Sequence, residues 1–369
     1  MLEDLDGIKM LHRGNPLTLK KFIPLAAGLP VTLKECHNMV TQEQIAQKLG
    51  ISRQLVTFAL GGYPQVSEAS RKRILAAAEK MGYRPNPHAR ALKRGRTGII
   101  GLWIPDQIST HYNHVARELN HLVKQSRYEL IVSDVGNDRS AEQVLSHVPM
   151  DGVFAVDAPN AVRAHLQSAF AKSIPVISIG ANRAAKTDCV QVDLHAGAGE
   201  AMQHLIKTGF RQIVHATFEQ KEKTGPGRRQ AYAEAMQRAG LKPEFFYYPL
   251  SEEQRPIVRQ SIQDYVRQHG RPEAIFCHSD DVALGIYRGL RDMKLQVPRD
   301  VALVGCDGIQ DTEYLECPIT TLVQPVAEMC ATAWRFLLQR LENPGTKLQH
   351  VVLQPGLVIR ESSQRSISG

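Results

Sequence analysis

The sequence predicts a small all-α head, a short hinge helix and a large α/β body of two lobes. Three observations carry this. Two short helical patterns lie either side of a glycine turn within residues 42–60. The excess positive charge is confined to the stretch that holds them. From Ile99 onward, short apolar runs alternate with amphipathic helical stretches, the mark of parallel βαβ units. So many strand candidates suit two doubly wound sheets better than one.

Composition narrows the class. The chain has 369 residues, 43% hydrophobic and 22% charged, which is ordinary for a globular protein with well-buried cores. No apolar run reaches the roughly 20 residues needed to span a bilayer, so no membrane partner is expected. Residues 39–96 hold 11 Lys/Arg against 3 Asp/Glu, whereas residues 97–369 hold 29 against 30. A basic module on a neutral body is the electrostatic footprint of a nucleic-acid binder. The six cysteines form no C-x-x-C pair and no zinc-type spacing, which suits reduced thiols in the cytoplasm. Residues 1–38 contain "KKFIPLAAGLPVTLKEC", superficially like a signal peptide. Glu35 stands where a cleavage site before Cys36 wants a small residue, so an upstream-extended, poorly ordered arm is expected instead.

The head is expected at 39–84. Thr41 and Gln44 form a T-x-x-Q capping box that starts a helix at Gln42, with Ile45, Ala46 and Leu49 on its apolar face. Gly50 stops it. Ser52 caps a second helix that ends at Gly61-Gly62. The pair is a helix-turn-helix, a pattern that tight helical hairpins in other bundles also share. On the second helix Val56, Ala59 and Leu60 face the core, and Gln54 and Phe58 lie on the opposite side. If that side enters a major groove, Arg53 and Gln54 can pair with guanine and adenine edges, and Phe58 can pack on a thymine methyl. Ser67 caps a third helix, with Ile74, Leu75, Ala78 and Met81 as its buried stripe. Arg71, Lys72 and Arg73 crowd the start of that helix, where the dipole does not favour cations; a nearby phosphate backbone would account for them. In "YRPNPHARALKRGRTG", Asn86 and Pro87 can open a short hinge helix at 85–97, or the stretch is a basic linker.

The stretches "VTQEQIAQKLGISRQLVTFALGG", "VSEASRKRILAAAEKMGYRPN" and "ARALKRGRTGIIGLWIPD" resemble the head and hinge of the lactose-repressor/galactose-repressor family of bacterial transcription regulators. The resemblance runs from about Met39 to the C-terminus. It implies a homodimer on a pseudo-palindromic double-stranded DNA operator, with the second helix in the major groove. Paired hinge helices would wedge Leu92 between base steps in the minor groove. Matching DNA-contact positions are Thr41, Ser52, Arg53, Gln54, Thr57 and Phe58 in the head, and Asn86, Ala89, Arg90 and Leu92 in the hinge. The sequence departs from the family pattern at Leu55, Thr57 and Gly61, where Thr, Ser and Asn are usual. Leu55 lacks the hydroxyl with which the usual Thr could contact phosphate.

For the body at 98–369 the resemblance implies a periplasmic-binding-protein-like core that takes a small-molecule effector, a sugar or related metabolite, between its lobes. The first lobe is expected at about 98–190 and 323–345, the second at about 191–322 and 346–363. Strand candidates are "IIGLWI", "YELIVSDV", "GVFAVD", "PVISIG", "CVQVD", "QIVHATF", "AIFCHSD" and "VALVGCD". Ligands bind such sheets beyond the C-terminal strand ends. Those ends carry Asp106, Asp134, Asp157, Asp193, Asp280 and Asp307, and for any one of them helix capping competes with ligand binding. The resemblance places Asp106, Tyr112, Arg228, Ser279, Asp280, Asp307 and Gln324 at the effector. Gly180 stands where many sugar-responsive members have Asp. Tyr112 suits either stacking on a ring or packing at the lobe junction. His111 and His114 form an H-x-x-H pair with no third ligand evident, so no metal and no cofactor is expected.

Two other classes compete. A nucleotide-dependent α/β enzyme would need a glycine fingerprint, but "VDLHAGAGEAM" puts Met202 at the third small position. A periplasmic-type sugar-binding protein would share the body but not the basic head. The C-terminal "ESSQRSISG" has no heptad repeat, so a tetramerising coiled coil is not expected. The reading is a sequence-specific regulator, a repressor gated by lobe closure.

Overall fold

The computed structural model describes residues 40–84, 96–105, 108–126, 128–136, 148–169, 173–181, 183–184, 186–218, 227–251 and 253–365. The expectations for the N-terminal arm, for Asn86, Ala89, Arg90 and Leu92 of the hinge, and for Asp106 lie outside these residues. The chain divides into two units, one ending at Asn86 and the other beginning at Pro87.

The first unit is a three-helix head: α1 (Gln42–Leu49), α2 (Arg53–Leu60) and α3 (Glu68–Lys80). Its caps follow from local chemistry. Thr41 Oγ1 accepts from the Gln44 N–H at 3.2 Å, and the Thr41 N–H donates to Gln44 Oε1 at 2.8 Å. Gly50 closes α1 in the left-handed region at φ 64°, where a side chain would be strained. Ser52 and Ser67 cap α2 and α3. Ile45, Ala46, Val56, Ala59, Val66, Ile74 and Ala78 form the core. Leu75 is not in it: it is 45% exposed, because it lies one residue, about 100°, round from the Ile74–Ala78 stripe.

Among its described residues the second unit holds two six-stranded sheets. In chain order its elements are β1 (Ile99–Ile104), α4 (Thr110–Gln125), β2 (Glu129–Asp134), β3 (Gly152–Val156), α5 (Pro159–Gln167), β4 (Val176–Gly180) and β5 (Asp188–Val192). There follow α6 (Leu194–Lys207), β6 (Ile213–Phe218), α7 (Arg228–Arg238), β7 (Glu244–Tyr248), α8 (Gln254–His269), β8 (Ala274–Cys277), α9 (Asp280–Asp292) and β9 (Ala302–Asp307). Next come β10 (Thr320–Val323), α10 (Val326–Glu342), β11 (His350–Leu353) and β12 (Gly356–Val358).

The first sheet has the order β11-β5-β4-β3-β1-β2 and the second β12-β10-β9-β8-β6-β7. Pairing is parallel except between β12 and β10. The central strands are buried along their whole length, as expected when helices cover both faces. The chain crosses between lobes after β5, after β10 and between β11 and β12.

The last crossing corrects the boundary expected at 346. The segment after α10 first returns to the first sheet, where β11 pairs with β5 in the register Val351↔Val190 and Leu353↔Val192. That pairing covers the otherwise open backbone edge of β5. The second lobe resumes only at β12. β7, β10, β11 and β12 were absent from the expected strands; all are three to five residues long.

Candidate functional site

In the head, Arg53 and Gln54 are exposed at the start of α2, while Val56 and Ala59 anchor the opposite face in the core. Thr41 and Ser52 are spent as caps, and their helix ends stay at the surface. The Thr57 hydroxyl sits 2.8 Å from Gln42 Oε1 and 3.0 Å from the Arg53 carbonyl, so it ties α2 to α1. Phe58 corrects the expectation of an outward ring. It is half-buried, packs on the head's core, and its ring lies 5.3 Å from that of Tyr63. The chain after Gly61-Gly62 turns back and covers part of that face. Two of the three cations at the start of α3 also have local work: Arg71 donates to the Tyr63 carbonyl at 2.6 Å and Arg73 to the Leu49 carbonyl at 3.5 Å.

In the second unit, a cavity of about 820 Å³ opens at the C-terminal strand ends. His111, Tyr112 and Asp157 reach it from the first lobe. Arg228, His278, Ser279, Asp281 and Asp307 reach it from the second, and Gln324 from the crossover after β10. Arg228 opens α7. Its Nη2 lies 2.8 Å from His278 Nε2, its Nη1 3.4 Å from Cys306 Sγ and 3.8 Å from Asp307 Oδ1. Asp307 Oδ1 also accepts from the Gln324 amide at 2.8 Å. Tyr112 is half-buried, lines the cavity and packs against the core cluster.

Burial sets the charge states. The His111 imidazole is lowered to about 4, chiefly by burial, with Arg228 and His114 adding and Asp157 opposing. Burial, then Arg228 and His215, hold His278 well below the usual range. Both rings are therefore neutral at pH 7. His278 Nε2 must accept from the arginine, so the ring hydrogen sits on Nδ1, which is buried without a protein partner. His111 Nδ1 is likewise buried and unpartnered. Such atoms at a cavity wall are ready to hydrogen-bond a ligand. Asp307 is pushed up to about 7 by burial, against the pull of Arg228 and Gln324.

Asp280 is the correction here. It is fully buried and does not line the cavity. Its Oδ2 accepts from the Gly308 and Ile309 N–H groups at 2.7 and 2.9 Å, and its Oδ1 from the Thr321 hydroxyl at 2.7 Å. It stitches α9 to the β9–β10 connection, and its neighbour Asp281 faces the cavity instead. Ser279 caps α9 through the Val282 N–H at 3.3 Å and also lines the cavity.

Asp157 is the wall residue sequence reasoning underrated. It sits at φ 44°, and its Oδ1 accepts from the Ala181 N–H at 3.0 Å. A Cβ on Gly180 would overlap that carboxylate. Only a glycine at 180, at the end of β4, leaves room for this carboxylate from the end of β3. Asp307 is likewise at positive φ, 122°, so two of the three wall aspartates, Asp157 and Asp307, carry backbone strain of the kind found at binding sites. Asp193 does only what capping predicts, accepting from the Ala196 N–H at 2.9 Å. Among the described residues no cluster of His, Cys, Asp and Glu can hold a metal ion, and His114 faces Glu118 at 3.8 Å.

Comparison with known proteins agrees with both units. Residues 41–86 match the model for bacterial regulatory proteins of the lacI family, and residues 202–363 match a periplasmic binding protein-like domain. The chain is 28% identical over 330 residues to the ribose operon repressor of Haemophilus influenzae, covering 88% of this chain and 98% of that protein. Its fold is similar to that of the lac repressor dimer bound to operator and an anti-inducer, with TM-score 0.72, 19% identity, and coverage of 88% of this chain and 99% of that one. It is also similar to a complex of the transcriptional regulator CelR with cellobiose, with TM-score 0.62, 24% identity, and coverage of 88% and 99%.

Proposed function

The chain belongs to the lacI family of bacterial regulatory proteins and is a DNA-binding transcriptional repressor with an effector-binding core, not an enzyme; from that premise we propose that it acts in the cytoplasm as a homodimer on a pseudo-palindromic operator and is gated by a sugar or related polar metabolite. The observation that carries this reading is the pairing, in one chain, of an exposed Arg53-Gln54 helix start with a separate cavity ringed by hydrogen-bonding side chains.

On the DNA side, Arg53 and Gln54 read base edges in the major groove, and the α1 and α2 starts at Thr41 and Ser52 lie against phosphate. Phe58 borders the same face with the exposed part of its ring. Asn86, Ala89, Arg90 and Leu92 supply the minor-groove contacts, Leu92 as the wedge.

On the effector side, Arg228 forms an ion pair with Asp307, which accepts a hydrogen bond from Gln324, and Ser279, Tyr112, Asp157, His111 and His278 complete the wall. Neutral imidazoles, carboxylates and one guanidinium, beside the aromatic faces of Tyr112, Phe218 and Tyr248, suit a polyhydroxylated ring. The cellobiose complex of a similar protein favours the same class. A ligand that bridges the lobes changes their angle, and it controls DNA binding only by its unequal affinity for the two arrangements.

Selection from a random duplex library tests the DNA half. The expected product is a two-fold-symmetric consensus whose affinity falls steeply with salt. An unsymmetrical consensus, or none, would refute the dimeric reading.

A further inference from the structure

Thr110 is the first residue of α4, on the first lobe, and its N–H is one of the donors that every helix start leaves without an intrahelical acceptor. The acceptor comes from the other lobe. Asp281, in the first turn of α9, takes the Thr110 N–H on Oδ2 at 3.1 Å and the Thr110 hydroxyl on Oδ1 at 3.0 Å. A carboxylate at this position also meets the positive end of the α4 dipole. Arg255 of α8 closes a ring. Its Nε donates to Asp281 Oδ1 at 2.8 Å, and its Nη2 reaches Thr110 Oγ1 at 2.9 Å and Asp311 Oδ2 at 3.0 Å. The threonine hydroxyl thus donates to the aspartate and accepts from the arginine, so both of its roles are used across the cleft.

We propose that Thr110, Asp281 and Arg255 form an interlobe latch, in which the second lobe supplies the N-terminal cap of the first lobe's leading helix and so holds the cleft shut. Opening the cleft uncaps α4 and breaks both Thr110–Asp281 bonds and the Arg255–Thr110 bond in one step, while the Arg255–Asp281 pair, inside the second lobe, stays. The Asp281 side chain is only 13% exposed and that of Arg255 42% exposed, so the ring straddles the dry and wet edges of the cleft. Both also line the cavity, which places the latch and ligand entry on the same side chains. The latch is built from the core alone and stands whatever the cleft binds.

Hydrogen exchange read by mass spectrometry on the dialysed full chain tests it. Asp281→Ala removes the cap. Segment 109–114 is expected to exchange roughly tenfold faster, the fold-change from losing about one charge-assisted hydrogen bond. The cleft walls at 155–158 and 305–309 should speed up with it, while circular dichroism stays unchanged. Asp292→Ala serves as control, because it breaks an ion pair with Arg259 that lies wholly inside the second lobe; its effect should stop at that lobe. Arg255→Gln should give the Asp281→Ala pattern at smaller amplitude, and decides the matter if Asp281→Ala does not fold. Unaltered exchange at 109–114, or faster exchange there with both cleft walls unchanged, overturns the latch.

Discussion

Replacing Gly180 by alanine separates two costs that the geometry predicts together. Gly180 ends β4 at φ 139°, a conformation that side chains rarely adopt. Holding alanine there costs about 1–3 kcal/mol of backbone strain. The new Cβ would also overlap Oδ1 of Asp157, lying 2.7 Å from its Cγ and 3.2 Å from its backbone nitrogen. The carboxylate must then swing away and give up its bond to the Ala181 N–H, at about 1.5 kcal/mol, the low end for a hydrogen bond to a charged group. Gly180→Ala should therefore destabilise the core by about 3.5 kcal/mol in urea unfolding. In an Asp157→Ala background the second part is already lost, so the same change should cost only about 2 kcal/mol, a coupling of about 1.5 kcal/mol. Equal costs in the two backgrounds would show that Gly180 makes no room for Asp157. A cost near zero in both would refute the strain as well.

Other consequences follow from the same geometry. Asp280→Ala leaves the Gly308 and Ile309 N–H groups and the Thr321 hydroxyl without their acceptor. Urea unfolding should show a loss of about 3 kcal/mol, whereas a wall residue that only contacts ligand would cost little. His111 is held neutral to about pH 4, while the unfolded chain takes up that proton near 6.5. Its contribution is therefore intact above pH 6.5 and is lost as pH falls toward 4, about 2 kcal/mol of it by pH 5. His111→Gln should lose less stability between pH 7.5 and pH 5 than the parent; an identical loss would place the titration elsewhere. In the head, Gln54→Ala should relax base preference at one operator position with head stability unchanged. Phe58→Ala should lower head stability by about 1–2 kcal/mol, because its ring packs on Tyr63 and the core; a thermally unchanged Phe58→Ala head would restore the fully outward ring.

What was legible in the sequence was local. The capping box at Thr41 and Gln44 and the caps at Ser52 and Ser67 hold as read, because each depends on residues three apart. The buried strands β1, β3, β4 and β9 were legible because strands covered on both faces are apolar throughout. What failed depends on partners distant in the chain. Phe58 is placed by Tyr63 beyond the glycine turn, which a helical wheel of α2 does not contain. β11 is fixed by an edge of the first sheet about 160 residues earlier. Asp280 and Asp281 are adjacent and chemically identical. Their roles diverge because one points to the β9–β10 connection and its neighbour, about 100° further round the helix, to Thr110. Asp157 reads in the sequence like any strand-end cap, because the room for its carboxylate comes from the missing Cβ at Gly180, on a neighbouring strand.

Gating by the lobes requires that a ligand in the cleft and an operator at the head be thermodynamically linked. The direct measurement is fluorescence anisotropy of the selected operator duplex, titrated with the chain at fixed salt, with and without a ligand found by thermal-shift screening of sugars and sugar phosphates. Operator affinity should change by roughly 5–150-fold in one direction, and Arg228→Ala should abolish the change while basal operator affinity stays the same. A ligand that binds the cleft by calorimetry yet leaves operator affinity unchanged in the parent chain would contradict that linkage.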